Sequence, residues 1–369
     1  MRTLAVAAVL GLGLAACSSQ GGAQQEQGGG GGGTGGTVDT ERFTIAMVTH
    51  EQPGDTFWDR IRAGAEDAAA AHNIELRYSN GAQAPEQATL VQNAIDSQVN
   101  GLAVTLAQVE QVGPAAKAAA DAGIPVVAFN AGKDEYERFG AKMYFGSDET
   151  IAGQAAGQRL AEDGAQKVLC VVQEQGHVAL EARCAGVAAS FPNTENIYVQ
   201  GTDLPSVRST IGAKLQEDPA ITHVIALGAP FALTALEIAS AYLVGQQLRV
   251  VANHRAEVRQ APHGITHVIA LGAQFAMTAL QSVSDAGSQA KVATFDLNID
   301  AARAIQEGRI MFSVDQQPYV QGYMAVASLW LNLTNGNDLG GGGPVLTGPS
   351  LVDESNIDQI VEYAQNNTR

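Results

Sequence analysis

Gly101–Gly132 reads GLAVTLAQVEQVGPAAKAAADAGIPVVAFNAG, and this stretch decides the fold class. GLAVTLA is a short apolar run of strand length. QVGPAAKAAADAG follows as an Ala-rich helix closed by Gly123, and IPVVAFNAG is a second apolar run. A strand, a helix and a strand in so few residues form a βαβ unit, whose strands lie parallel in one sheet.

The unit recurs in both directions along the chain. Before it come the strand FTIAMVTH, the Ala-rich helix Thr56–Asn73, the strand IELRYSN and a helix opened by Pro85. After it come the strand MYFGSD and the helix ETIAGQAAGQRLAEDG. A second series follows: KVLCVVQ, ALEARCAGVAASF, IYVQG, VRSTIGAKLQED, ITHVIAL, KVATFDLN, IMFSVDQQ and the long helix YVQGYMAVASLWLNL. The expected fold is α/β, with two doubly wound parallel-sheet lobes in sequence. Ligands of such sheets bind beyond the carboxyl ends of the strands, and two facing lobes make a cleft there.

ITHVIALGA occurs twice, at 221–229 and 265–273, a 44-residue offset. Two copies do not make a solenoid, which needs about three repeats. One βα unit of the second lobe is duplicated within 221–280. The sheet offers one slot for it, so one copy is expected in the sheet, with the second favoured. The other is expected at an edge or on the surface, exposing Val224, Ile225 and Leu227.

The N-terminus carries separate information. MRTLAVAAVLGLGLAAC has a basic residue, an apolar run too short for a bilayer core of ~30 Å, and small residues before Cys17. It resembles a bacterial lipobox, which implies signal peptide 1–16 and a lipid on Cys17. Residues 17–37 are Gly- and Gln-rich and form a tether with a reach of roughly 25 Å. The net charge of −17 argues against nucleic acid and against adhesion to an anionic bilayer. Cys170 and Cys184 remain for the body, as a disulfide in an oxidising compartment or as buried thiols.

The strand ends carry the candidate ligand residues: His50, Phe57 and Trp58 after the first strand, Asn130 after the fourth, and Ser147 and Asp148 after the fifth. Arg183 lies in the helix after KVLCVVQ, Asp296 ends VATFD, and Asp315 and Gln316 follow FSV. Aromatic faces with amide, carboxylate and guanidinium groups suit a polyhydroxylated ligand. No catalytic role is assigned. HExxH and Gly-x-Ser-x-Gly are absent, the seven histidines lack metal-ligand spacing, and Gly153 and Gly157 read as helix-packing glycines, not a dinucleotide fingerprint. No cofactor and no metal are expected.

From Phe43 onward the chain resembles a periplasmic-binding-protein type 1 sugar receptor of the ribose-binding kind, in lipoprotein form. The resemblance rests on IAMVTHEQPGDTFWDRIRAGAEDAA, NGLAVTLA, DAGIPVVAFNAG, GSDETIAGQAAG and VATFDLNIDAARAIQEG. It implies a monomeric receptor that hands a sugar or polyol to an ABC permease, held by its lipid on the outer face of the cell membrane. A sensory receptor without transport is the alternative. It implies lobes 38–148 and 149–369, crossings near 146–150, 296–300 and 314–318, and Phe57 and Trp58 sandwiching the ligand. Where the family commonly has Asp-Arg this chain has Asn130-Ala131, and Leu204 falls near a further stacking position. Both departures favour a smaller ligand, such as a polyol or deoxy sugar.

Overall fold

The computed structural model describes residues 41–52, 57–200, 203–226, 267–271 and 291–369, with single positions between 273 and 281. Residues 1–37, on which the expected signal peptide, lipidated Cys17 and tether fall, lie outside the described residues.

The first sheet is built from β1 (Phe43–Thr49), β2 (Ile74–Asn80), β3 (Gly101–Val104), β4 (Val126–Phe129) and β5 (Met143–Ser147), joined by α1 (Phe57–Ala71), α2 (Ala84–Asp96) and α3 (Val109–Asp121). β3 and β4 are buried along their whole length, as strands covered on both faces must be. Alternate side chains feed two layers. Val48, Leu102, Val104 and Ala128 pack under α2 and α3. Ile45, Met47, Ala103 and Phe129 pack under α1.

The second sheet contains β6 (Val168–Val172), β7 (Thr194–Tyr198), β8 (His223–Ala226), β9 (His267–Leu271), β10 (Lys291–Phe295) and β11 (Ile310–Asp315). Its helices include α4 (Glu149–Glu162), α5 (Val178–Ser190), α6 (Leu204–Glu217) and α7 (Ile299–Gln306). The chain then returns to the first sheet with α8 (Pro318–Asn335) and β12 (Val345–Gly348). It ends in the second with β13 (Ser350–Asp353) and α9 (Val361–Gln365). The orders are β12-β5-β4-β3-β1-β2 and β13-β11-β10-β9-β8-β6-β7. All pairings are parallel except β11 with β13.

Two expectations are corrected here. Residues 318–348 do not belong to the second lobe. α8 lays Ala325, Val326 and Leu329 into the core beneath β1, β3 and β4, and β12 pairs with β5. The lobes are therefore joined at 147–149, 315–318 and 348–350. There is no crossing at 296–300, because β10, α7 and β11 all stay on the second sheet. The joining segments are tied together: the Asp148 amide donates to Gly348 O at 3.2 Å, and Thr347 Oγ1 to Gln316 O at 2.8 Å.

The second correction concerns the duplication. Both copies lie in the sheet, side by side. β8 pairs with β6 and with β9, and β9 pairs with β10. Equivalent residues stand opposite each other, His223 with His267 and Ile225 with Ile269. Identical strands have identical alternation. Val224 and Val268 enter one core layer, and Ile225 and Ile269 the other. A displaced copy would leave these side chains in water and its backbone unpaired, so insertion is the favourable outcome.

Candidate functional site: a cleft between two lobes

The lobes touch at the rim. The Val178 amide donates to Ala107 O at 3.1 Å, and Gln108 Nε2 to Glu174 Oε1 at 2.7 Å. Behind this contact the His50 ring, just past β1, meets the ring of His177, which caps α5, with centroids 5.2 Å apart. The end of β1 and the start of α5 thus meet across the two lobes.

On the first lobe, Gln87 Nε2 donates to both Thr105 O and Thr105 Oγ1, at 2.8 and 2.9 Å. The Thr105 hydroxyl also lies 2.8 Å from His50 Nδ1, which ties the ring to the end of β3. Burial, and then the opposing His177, hold the His50 pKa well below its ordinary value. Burial also lowers His177, with Glu174 pulling the other way. Trp58 meets His50 edge-on at 4.8 Å and Phe57 at 5.2 Å. Trp58 is only 3 % exposed, so it serves the core as well as the cleft wall.

Asn130 and Asp296 occupy matching places, one residue past β4 and one past β10. Each has a left-handed backbone, with φ of 64° and 58°. That conformation is uncommon outside glycine and is tolerated best by Asn and Asp. It turns each residue out of its strand while the amide still bonds the neighbouring strand: Asn130 N to Phe145 O, and Asp296 N to Val314 O. A side-chain chain links them across the joint. Asn130 Nδ2 donates to Gln321 Oε1 at 3.2 Å, Gln321 Nε2 to Gln316 O at 3.0 Å, and Gln316 Nε2 to Asp296 Oδ2 at 3.2 Å. Burial and then Asp315 push the Asp296 carboxyl up to about 8, against the pull of Arg183. Asp315 is fully buried and its pKa is raised by burial. The Arg369 guanidinium, whose Nε donates to it at 2.7 Å, opposes that rise.

Arg183 is set by helix packing. A Cβ on Gly153 of α4 would overlap the carbonyl oxygen of Arg183, and one on Gly186 of α5 that of Thr150. Glycine at both places lets the two backbones touch, which supports the packing reading of Gly153. Cys170 of β6 and Cys184 of α5 are disulfide-bonded, with Cα atoms 6.0 Å apart, and fasten α5 to the sheet. Arg183 then donates from Nε to Glu149 Oε2 at 2.6 Å and lies 4.2 Å over the Phe295 ring.

The other sequence candidates fall as follows. Ser147 is fully buried at the end of β5. Asp148 caps α4 by accepting the Ile151 amide at 3.0 Å and lies 3.4 Å from Lys133, a structural role. The side chain of Leu204 lies outside the described residues. Glu149, His177 and Gln321 join the site without having been singled out in the sequence. Four site residues each keep one buried polar atom with no hydrogen-bond partner among the described residues: Ser147 Oγ, Glu149 Oε1, His177 Nδ1 and Asp296 Oδ1. Among the described residues no group of three or more His, Cys, Asp or Glu is placed to hold a metal, and no helix is long and apolar enough to cross a membrane.

Two parallel-sheet lobes joined by three segments, with such polar atoms at their strand ends, have the architecture of a solute receptor. The chain belongs to the periplasmic binding protein family: the pattern described as "Periplasmic binding protein domain" matches residues 45–338. It is 46 % identical to a carbohydrate transporter from Acidothermus cellulolyticus 11B, solved in complex with myo-inositol. That match covers 89 % of this chain and 100 % of the other, with a TM-score of 0.72. An ABC transporter solute-binding protein from Burkholderia graminis C4D1M, in complex with D-arabinose, shares the fold at 19 % identity, covering 85 % and 96 % with a TM-score of 0.62. The xylose/arabinose-binding protein XylF of Sulfolobus acidocaldarius is 22 % identical over 291 residues; the match spans 75 % of this chain and 63 % of that protein's length. The family and these neighbours are binding proteins.

Proposed function

We propose that this protein captures a neutral cyclic polyol or sugar in the interlobe cleft and delivers it to the permease of an ABC importer. The observation that carries the reading is the set of unsatisfied buried polar atoms contributed by both lobes, with the Trp58 ring meeting His50, and His50 meeting His177 across the joint. Leaving such atoms without partners is unfavourable, and a ligand rich in hydroxyls can serve all of them at once. Its C–H faces suit the aromatic wall. Arg183 is paired with Glu149 and Arg369 with Asp315, so these two guanidinium groups are already engaged by carboxylates, which favours a neutral ligand over an anion. The myo-inositol complex of the 46 % identical relative makes that cyclitol the first candidate.

The protein is proposed to act as a monomer, on the outer face of the membrane, through a lipid on Cys17, and to bind without transforming its ligand. A thermal-shift screen of pentoses, hexoses, inositols and amino acids tests the ligand class. A ligand at a hundredfold excess over its dissociation constant stabilises the native state by ~2.7 kcal/mol. Inositols or sugars should raise the melting temperature; a rise with amino acids alone would contradict the reading. Cys17→Ala should move the protein from the membrane fraction to the soluble fraction, and persistence on the membrane would count against the anchor.

A further inference from the structure

Glu149 is the buried acid of the cleft that neither the strand pattern nor the capping geometry explains. It is the first residue of α4, directly after the joint at Ser147 and Asp148, and it is 5 % exposed. One carboxylate oxygen, Oε2, accepts from Arg183 Nε at 2.6 Å, and the other, Oε1, is buried with no partner among the described residues. Its surroundings are fixed on every side. Gly153 and Gly186 hold α4 against α5, and Arg183 is sandwiched between Glu149 and the Phe295 ring. Phe295 precedes Asp296, whose Oδ1 is likewise buried without a partner. A buried carboxylate with one oxygen unused is unfavourable unless something donates to it.

We propose that Glu149 is a specificity-determining contact of this cleft: its Oε1 accepts a hydrogen bond from one ligand hydroxyl and so demands a free O–H at that position. This rests on the polyol reading above and deepens it. A carboxylate accepts only. A ketone or an ether oxygen at the same ligand position would face it with lone pair against lone pair, while Arg183, already held by Oε2, cannot turn to relieve the clash. The cleft therefore reads the hydroxylation of one particular ring carbon. Sites built to pair a hydroxyl reject analogues that lack it far more strongly than apolar pockets reject a missing methylene.

The test is a calorimetric comparison of myo-inositol with its mono-O-methyl ethers and mono-ketones, on the wild-type chain and on Glu149→Gln. In the wild type, changing one ring position should weaken binding by about a hundredfold, and in Glu149→Gln that penalty should shrink to below about tenfold, since the amide presents an N–H that a ketone or ether can accept. Penalties at the other positions should not move. Equal weakening of every ligand by Glu149→Gln would mean that Glu149 only positions Arg183, and would overturn the proposal. So would a wild-type panel with no position-specific penalty. If Glu149→Gln does not fold, Glu149→Asp replaces it. Its retracted carboxylate should lower the penalty at the same single position, and an unchanged penalty there overturns the proposal. If no inositol or sugar binds the wild type at all, the polyol reading falls first, and that result is distinct from a failure of Glu149 alone.

Discussion

The two lobes are variations on one sheet. Read from the outer strand, the first runs β2-β1-β3-β4-β5-β12 and the second β7-β6-β8-β9-β10-β11-β13. Remove either β8 or β9 and the orders coincide, with Asn130 after β4 matching Asp296 after β10, in φ and in the bond each amide makes to the next strand. The difference lies in chemistry and spacing. The first lobe offers an amide that is already engaged with Gln321, and the second offers an acid with one oxygen still available. The second lobe also places one more strand between Asp296 and the Arg183 side of the sheet. The shared frame positions the residues, and the departures from it set what the cleft can bind.

The strongest way to break this comparison is to equalise the sheets. Deleting Glu237–Leu280 joins Leu236 to Gln281 and leaves one HVIAL strand. His223 and His267 hold equivalent registers, so the remaining strand can pair with both β6 and β10. The shortened chain should unfold cooperatively. β10 would step one strand spacing, about 4.8 Å, toward β6. Polyol affinity should then fall by more than about a hundredfold, because sites tolerate only small displacements. Unchanged affinity would show that the second copy lies outside the sheet.

Asp296→Asn makes the second lobe resemble the first and has the next largest effect. Replacing the available carboxyl oxygen with an amide N–H should weaken ligand binding by roughly ten- to a hundredfold, about 1–3 kcal/mol, measured by calorimetry. Stability should move the other way. The carboxyl rises from 3.8 to about 8 on folding, so the folded chain holds the proton more tightly than the unfolded one. Ligand-free stability therefore declines as pH rises from 3.8 through about 8. The variant should escape that decline and exceed the wild type by up to about 5 kcal/mol at the alkaline end, read by urea unfolding across pH.

The extra strand carries its own marker. His223 and His267 stack with ring centroids 4.3 Å apart and an interplanar angle of 8°. Burial and then His267 lower the His223 pKa from 6.5 to about 4. Burial also lowers His267, with Asp163 pulling it up and Lys291 down. The unfolded chain then binds more protons, so this group removes stability as pH falls from 6.5 toward about 4. His223→Leu should remove that acid-side loss, up to about 3 kcal/mol of unfolding free energy, read by urea unfolding across pH. Parallel profiles for variant and wild type would mean that His223 is not buried in the sheet.

The sequence made the strand–helix alternation legible because short apolar runs and Ala-rich helices differ in period and length. The positions of Asn130, Asp296 and Gln316 just beyond strand ends, and of Arg183 in the helix after β6, were legible from the same alternation. Glu149 and His177 were hidden, because their place depends on two helices approaching through Gly153 and Gly186 and on the lobes meeting at Ala107 and Val178. Gln321 was hidden by the return of α8 to the first sheet: an apolar helix announces itself, but not the sheet it covers. The duplicated strand was legible as a repeat and not as a pair of neighbours, because identical strands fit the same slot equally well.

Titration calorimetry on the Cys17→Ala chain tests the central claim most directly, with myo-inositol, common pentoses and hexoses, a uronic acid and a set of amino acids as ligands. The account predicts saturable one-to-one binding of an inositol or a neutral sugar, with a dissociation constant of about micromolar or tighter, −8 kcal/mol or more favourable, and no heat from the uronic acid. Binding of an amino acid or an anion, with every neutral polyol and sugar silent, would contradict it.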